Sequence, residues 1–378
     1  MKRFQKLVAS VVAALGVVAF AQDASTPSTN SAVAYVYVST GSGNSYEINA
    51  YAASSDGVLT PISGSPYSTP GISSLALNNK WLFGANGIDI YVFAIASNGS
   101  LKKVSAINAQ ALNGYNDGGP VSLFLDRSGA TLYDLDIYGN NGANNTYQFF
   151  SISQFGVLSY TGATTAASPE FMTPLSFIAN NKYGYGSSNY HGFQNIYGFS
   201  RNSDGTLTDM NLNAPIPAAP KGAYGPFLAA ADAANHVAIS FVPTEDLTVV
   251  GPTQLASYTA DNSGNVSTTN TSETMPVVAV GAGDMQASPA GDLLAVGGPK
   301  GLQVFHFNGA NPITTYTGPL TTANVTQVFW DNANHLYAIS APPGELYVFT
   351  VTSTSVRQAP GSPYSIAEPF NIAVLPRE

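Results

Sequence analysis

An aromatic residue followed six positions later by glycine recurs along this chain: Tyr51 and Gly57, Phe93 and Gly99, Phe150 and Gly156, Phe199 and Gly205, Tyr258 and Gly264. Phe305 with Gly309 is a shortened copy, and Phe349 keeps the aromatic without the glycine. The aromatics lie 42, 57, 49, 59, 47 and 44 residues apart. A fixed local offset inside a variable long interval marks a repeated structural unit that tolerates loop insertions. The residues leading to each aromatic alternate and are β-branched or aromatic, as in Ile90-Tyr91-Val92-Phe93 and Leu346-Tyr347-Val348-Phe349, which predicts strands. Asp56-Gly57 and Asp204-Gly205 read as hairpin turns into a further strand.

Two more strands complete the unit. One follows a proline, as in Pro120-Val121-Ser122-Leu123, Pro174-Leu175-Ser176-Phe177, Pro226-Phe227-Leu228-Ala229 and Pro369-Phe370-Asn371-Ile372. A tight turn such as Asp126-Arg127-Ser128-Gly129 then leads into the next. Four short strands cannot bury both faces of their sheet alone; stacking units around an axis buries them, and closing the ring protects the edges. Gly64-Ser65-Pro66-Tyr67-Ser68 recurs as Gly361-Ser362-Pro363-Tyr364-Ser365, 297 residues later, which is six units. The chain opens with a second-type strand at Ala34-Tyr35-Val36-Tyr37-Val38 and ends with a first-type strand from Phe370, so the carboxy-terminal strand can complete the amino-terminal unit. The expected fold is all-β: a seven-bladed β-propeller with four antiparallel strands per blade, one domain over residues 33–376, and no helical periodicity.

Ahead of it, Lys2, Arg3 and Lys6 precede an apolar run over residues 7–20, and Ala19-Phe20-Ala21 supplies a small-x-small cleavage site. Residues 1–21 read as a signal peptide and 22–32 as a flexible lead, so the mature protein is expected in the periplasm or the medium. The run is too short to span ~30 Å of hydrocarbon, and no integral membrane segment is expected. Without the signal the chain carries ten basic and twenty-two acidic residues, a balance of −12. That charge argues against nucleic acid and against anionic membrane surfaces. There is no cysteine, so stability cannot come from disulfides.

The proline-led strand, the Tyr35-Val36-Tyr37-Val38 type of strand, the aromatic-ending strand and the Asp-Gly-x-Leu-Thr turn together resemble the lactonase-type seven-bladed propellers. That family includes bacterial 6-phosphogluconolactonase and the fungal carboxymuconate cyclase. The resemblance implies a site at the mouth of a central channel, using histidine, arginine and glutamate near the starts of inner strands. Where that family has a proline-histidine pair, this chain has Pro120-Val121; where it has Gly-Pro-Arg-His, this chain has Gly225-Pro226-Phe227-Leu228. The nearest acid after the following strand is Glu245. The groups that would bind an anionic substrate and polarise a lactone carbonyl are absent from the matching positions.

Of the four histidines, His236 and His335 share one repeat position and are expected to be structural; His306 lies within a strand; His191, in a Gly/Asn/Tyr-rich loop, is the one freest to meet a ligand. No Asp-x-Asp-x-Asp run, His-x-x-x-His spacing, Gly-x-Ser-x-Gly elbow or P-loop is present, and neither metal nor cofactor is expected. Asn116-Asp117-Gly118-Gly119 has the composition of a turn. Residues just before each inner strand should ring one mouth of the channel: Asp117, Glu170, Tyr224, Asp284, Gln286 and Glu368, with Asn324 from the sixth. With His191 these are the candidate ligand residues. Four acids there would repel an anion and admit a neutral sugar, an amine or a cation. The expected protein is a monomeric exported propeller that binds a small molecule, glycan or protein at its mouth without catalysis. The alternative is a lactone hydrolase with a rearranged site.

Overall fold

The computed structural model describes residues 32–377 except 43–44, 113–118, 140–143, 166–171 and 189–194. Seven antiparallel sheets, each of four strands in meander order with a short extra strand on three of them, form the blades of a propeller. Blades II to VII begin with the inner strands Ser74–Leu77, Gly119–Leu125, Ser176–Phe177, Ala223–Ala231, Asp284–Ala287 and Val325–Trp330. Blade I takes its inner strand from the carboxy terminus: Pro369–Pro376 pairs antiparallel with Ala34–Ser42, aligning Val36 with Val374 and Val38 with Ile372. Inner strands of successive blades touch at six of the seven junctions, Val325–Trp330 meeting Pro369–Pro376 among them, and blades III and IV meet through Leu158–Thr164 and Leu207–Asp209, so the ring is closed. The only helix among the described residues is a single 3-10 turn, Gln110–Leu112.

The repeated aromatics all fall on the third strand of their blade, at Tyr51, Phe93, Phe150, Phe199, Tyr258, Phe305 and Phe349. The glycines after them close identical turns: the amides of Gly57, Gly99, Gly156, Gly205 and Gly264 each donate to the carbonyl three residues back, at 2.9–3.1 Å. All five have φ between 75° and 89°, which a β-carbon disfavours. Space excludes one as well. A Cβ on Gly99 would stand 2.7 Å from the Tyr35 ring of blade I, and one on Gly156 would stand 2.9 Å from the Trp81 ring of blade II.

These turns are where blades lock together. Tyr37 of blade I donates to the Gly99 carbonyl of blade II at 2.8 Å. Tyr133 of blade III reaches Gly205 of blade IV at 2.7 Å, and Tyr185 of blade IV reaches Gly264 of blade V at 2.8 Å. The three tyrosines are fully buried, and burial raises the pKa of each phenol, so each stays a donor. The apolar clusters likewise lie between blades rather than in one centre, as with Tyr37, Ile48, Leu75, Leu82 and Phe93 between blades I and II.

Candidate functional site

Inner strands present one edge to the axis, leaving backbone amides there without a ladder partner. A recurrent device supplies the partners. Asn371 Oδ1 of blade I accepts from the Leu75 amide of blade II (3.1 Å), and Ser74 Oγ of blade II accepts from Leu123 of blade III (2.9 Å). Asp284 Oδ2 of blade VI accepts from Val328 of blade VII (2.8 Å), and Gln327 Oε1 of blade VII accepts from Ile372 of blade I (2.9 Å). In blade IV, Ser176 Oγ, two residues beyond this position, donates to the Ala229 carbonyl of blade V (3.1 Å). The same register puts Ser122, Pro174 and Leu228 at this position in blades III, IV and V. The ring of seven is therefore Asn371, Ser74, Ser122, Pro174, Leu228, Asp284 and Gln327, and all seven line a channel cavity of about 540 Å³.

Charge is scarce in that wall. Asp284 and Arg127 are its only charged residues among those described. Burial pushes the Asp284 carboxyl up to about 6, while the amides of Val328 and Met285 pull it back. Arg127 stands at the opposite end, in the turn that follows an inner strand, and its Nη1 donates to the carbonyls of Asp232 (2.5 Å) and Phe177 (3.3 Å). Between them the lining includes Phe124, Phe177, Phe329 and Trp330, with the Phe124 and Phe177 rings packed on Tyr133 in the seam with blade IV. Trp330 Nε1 is spent on the Gln286 carbonyl, at 3.1 Å.

The ring is shaped by prolines. Pro120, Pro226 and Pro369 each precede a residue that the neighbouring strand leaves unpaired: Val121, Phe227 and Phe370 are β-bulges, as is Thr326 in blade VII. Proline donates nothing to the ladder, so pairing breaks there at little cost, and the bulge re-aims the residue that follows. The positions the family resemblance singles out are thus Val121 and Phe227 on bulges and Leu228 in the ring. All three are apolar. Val121 and Phe370 are 42% exposed, which places hydrocarbon at the mouth.

The expected site residues fare unequally. Asp284 and Gln286 both line the cavity. Tyr224 does not; it is buried against Phe241 with its ring 5.6 Å away, and its hydroxyl donates to Gln254. Glu368 is an exposed turn residue with φ 38° whose carbonyl accepts from Gly41. Asn324 is held by the Ala341 carbonyl, at 2.9 Å. Asp117, Glu170 and His191 lie outside the described residues. His236 and His335 are turn braces: each Nδ1 meets the aspartate four residues back, Asp232 at 2.6 Å and Asp331 at 2.8 Å. Those aspartates also accept the histidines' own amides. In blade III the corresponding Asp126 is paired with Arg201 of blade IV at 2.9 Å. His306 stacks on Tyr316 with centroids 4.4 Å apart. No group of three or more potential metal-ligating side chains occurs among the described residues, and no helix there is long and apolar enough to cross a membrane.

The residues that sequence reasoning missed are the serines, Gln327 and Asn371 of the ring. Their signal was available in principle, because all follow from aligning the seven inner strands, but the bulges displace that alignment by one residue in four blades.

No protein-family model matches this chain, and no curated protein does. Solved structures match its fold. A periplasmic gluconolactonase from Pseudomonas aeruginosa superposes with TM-score 0.64 at 13% identity, covering 90% of this chain and 99% of that one. A protein from Lactobacillus plantarum superposes with TM-score 0.64 at 14% identity, over 90% and 99% of the two chains. A functionally unknown protein from Desulfotomaculum acetoxidans gives 0.63 at 13%, over 91% and 99%. At such identities the likeness establishes the β-propeller fold and nothing finer.

Proposed function

We propose that this protein is an exported propeller that holds a neutral, hydroxyl-rich small molecule at its channel without turning it over. The observation that carries this reading is the commitment of charge in the wall. Asp284 accepts from the next blade's backbone, and Arg127 donates to the backbone of blades IV and V. Polar groups that remain to meet a ligand include the Ser122 hydroxyl and the Gln286 carboxamide, in a lining that also contains Phe329. Hydroxyls and amides in a mostly uncharged wall suit a sugar or another polyol, in a cavity large enough for one small ligand.

A second reading, a lactone hydrolase, is favoured by one feature. A carboxylate titrating near 6 has the basicity of a general base at neutral pH, and Asp284 sits in the channel. The likeness to a gluconolactonase points the same way at the level of fold. Calorimetry with glucose, glucono-lactone and a homoserine lactone, alongside a lactone-opening assay at pH 7, separates the two. The expected result is saturable binding of the sugar or its lactone, weakened about tenfold by Gln286→Ala, with no hydrolysis above buffer. Turnover that disappears in Asp284→Asn establishes the hydrolase instead, and no binding across the panel defeats the first reading.

A further inference from the structure

The second strand of every blade has one position opposite the residue that follows the channel ring. In six blades it holds Val38, Gly84, Gly186, Ile239, Val296 and Ala338. Blade III places Asp134 there, opposite Leu123, with no exposure at all. Two residues on, on the same face of the strand, is Asp136, 1% exposed. Directly across the strand pair from Asp134 is Gln148, also fully buried. The seam around this face is hydrocarbon, including Phe83, Ala85, Leu123, Leu132 and Phe150.

The hydrogen bonding of this cluster lacks a donor. Gln148 Nε2 donates to Asp136 Oδ2 at 3.1 Å. Gln148 Oε1 and both Asp134 oxygens are buried acceptors that no described residue serves. Asp134 forms no ion pair with a described residue. One proton repairs most of this, because a neutral Asp134 can donate to the very oxygen that Gln148 leaves unused.

We propose that Asp134 is kept as a neutral acid whose proton bonds it to Gln148 Oε1, so that Asp134, Gln148 and Asp136 form one clip behind the blade III bulge at the channel mouth. Burial and the neighbouring Asp136 push the Asp134 carboxyl well above the usual carboxylate range; the nearby amides of Val121 and Ser122 pull it back only in part, and neither makes a hydrogen bond of ordinary geometry to it. Those two residues are the bulge residue and a member of the ring, so the acid lies directly behind the wall. Other titratable groups are far fewer on the elements packed against it. The strands Gly119–Leu125, Ser74–Leu77 and Trp81–Ala85 carry none. Tyr147 of the paired strand belongs to the apolar cluster with blade IV. Asp89 and Tyr91 of blade II bond each other at 2.8 Å, and Lys103 lies over the Tyr91 ring.

A native acid that keeps a proton the unfolded chain has lost makes the fold less stable as pH rises from about 4, where an unfolded aspartate titrates, up to its native value. Each pH unit in that window shifts the unfolding equilibrium tenfold, the effect of one proton. The test compares urea unfolding of the wild type and Asp134→Asn between pH 5 and 9, the asparagine supplying the donor permanently. The wild type should lose ground to the variant with rising pH, by up to tenfold per unit. Parallel pH curves overturn the proposal. So does calcium that stabilises the wild type but not the variant, since a cation would then neutralise the pair. If Asp134→Asn fails to fold, infrared spectroscopy in an Asp284→Asn background decides: a protonated carboxylic acid band should persist at pH 7, and its absence overturns the clip.

Discussion

At the seams between blades one device recurs almost unchanged: a second-strand tyrosine reaches the turn glycine of the next blade, at Tyr37–Gly99, Tyr133–Gly205 and Tyr185–Gly264. Along the channel, seven equivalent positions hold six kinds of side chain: asparagine, serine, proline, leucine, aspartate and glutamine. The seam must satisfy shape on both sides, a β-carbon-free turn against a flat ring, and few residue pairs do so. At Asn371, Ser74, Asp284 and Gln327 the ring position need only offer an acceptor to the next blade, which many side chains can, and at Leu228 it offers none. Regularity therefore reports packing, and irregularity reports where the chain is free to acquire a ligand site.

The largest test of this contrast removes the seam that closes the ring. Deleting residues 369–378 strips blade I of Ile372, Ala373, Val374 and Leu375, all at most 3% exposed. At about 1.5–3 kcal/mol for each large apolar side chain buried, the loss rivals the ~5–15 kcal/mol that holds a typical fold together. The truncated chain should show no cooperative urea transition; a sharp one at the wild-type midpoint would mean that closure is dispensable.

Within an intact ring, the tyrosine seam can be probed from both sides. Gly99→Ala meets the Tyr35 ring and a φ of 81° together, and should cost about 2–3 kcal/mol in urea denaturation. Tyr37→Phe leaves the Gly99 carbonyl without its donor and should cost about 1–2 kcal/mol. Equal effects from Asn371→Ala, which removes the acceptor of the Leu75 amide at the channel edge, would erase the distinction between seam and wall.

How much could be read in advance follows the same division. The aromatic and glycine offset located the third strand and its turn in every blade, because both are packing positions held by the seam. Ring closure was legible because complementary chain ends are a sequence property. The mouth was less so. Tyr224 precedes a proline as an inner-strand mouth residue should, yet it turns into the interface with Phe241. The bulges at Val121, Phe227, Thr326 and Phe370 shift which side chain faces the axis by one, and a period-2 pattern cannot register such an insertion. Asp134 was visible as an acid in a strand otherwise like its six counterparts, but its burial depends on Gln148 and on blade II, which are contacts between strands.

The smallest expected effect belongs to the wall itself. Asp284→Asn keeps a carbonyl oxygen for the Val328 amide, so the change at pH 4, where the aspartate is largely neutral, should be within about 1 kcal/mol. The native carboxyl titrates near 6 against an unfolded value near 4, so the wild type loses stability as pH rises between those values and nothing further above them. The variant has no such loss, and its advantage should grow from pH 4 to pH 6 and then stay flat. Asp284 is half-buried and lines the cavity, so solvent screening holds the gain to the order of 1 kcal/mol. The shape of the curve distinguishes wall from seam: the advantage of Asp134→Asn, buried in hydrocarbon, should still be growing where that of Asp284→Asn has stopped. If both level off at the same pH, the two acids share one environment and the contrast between seam and channel fails.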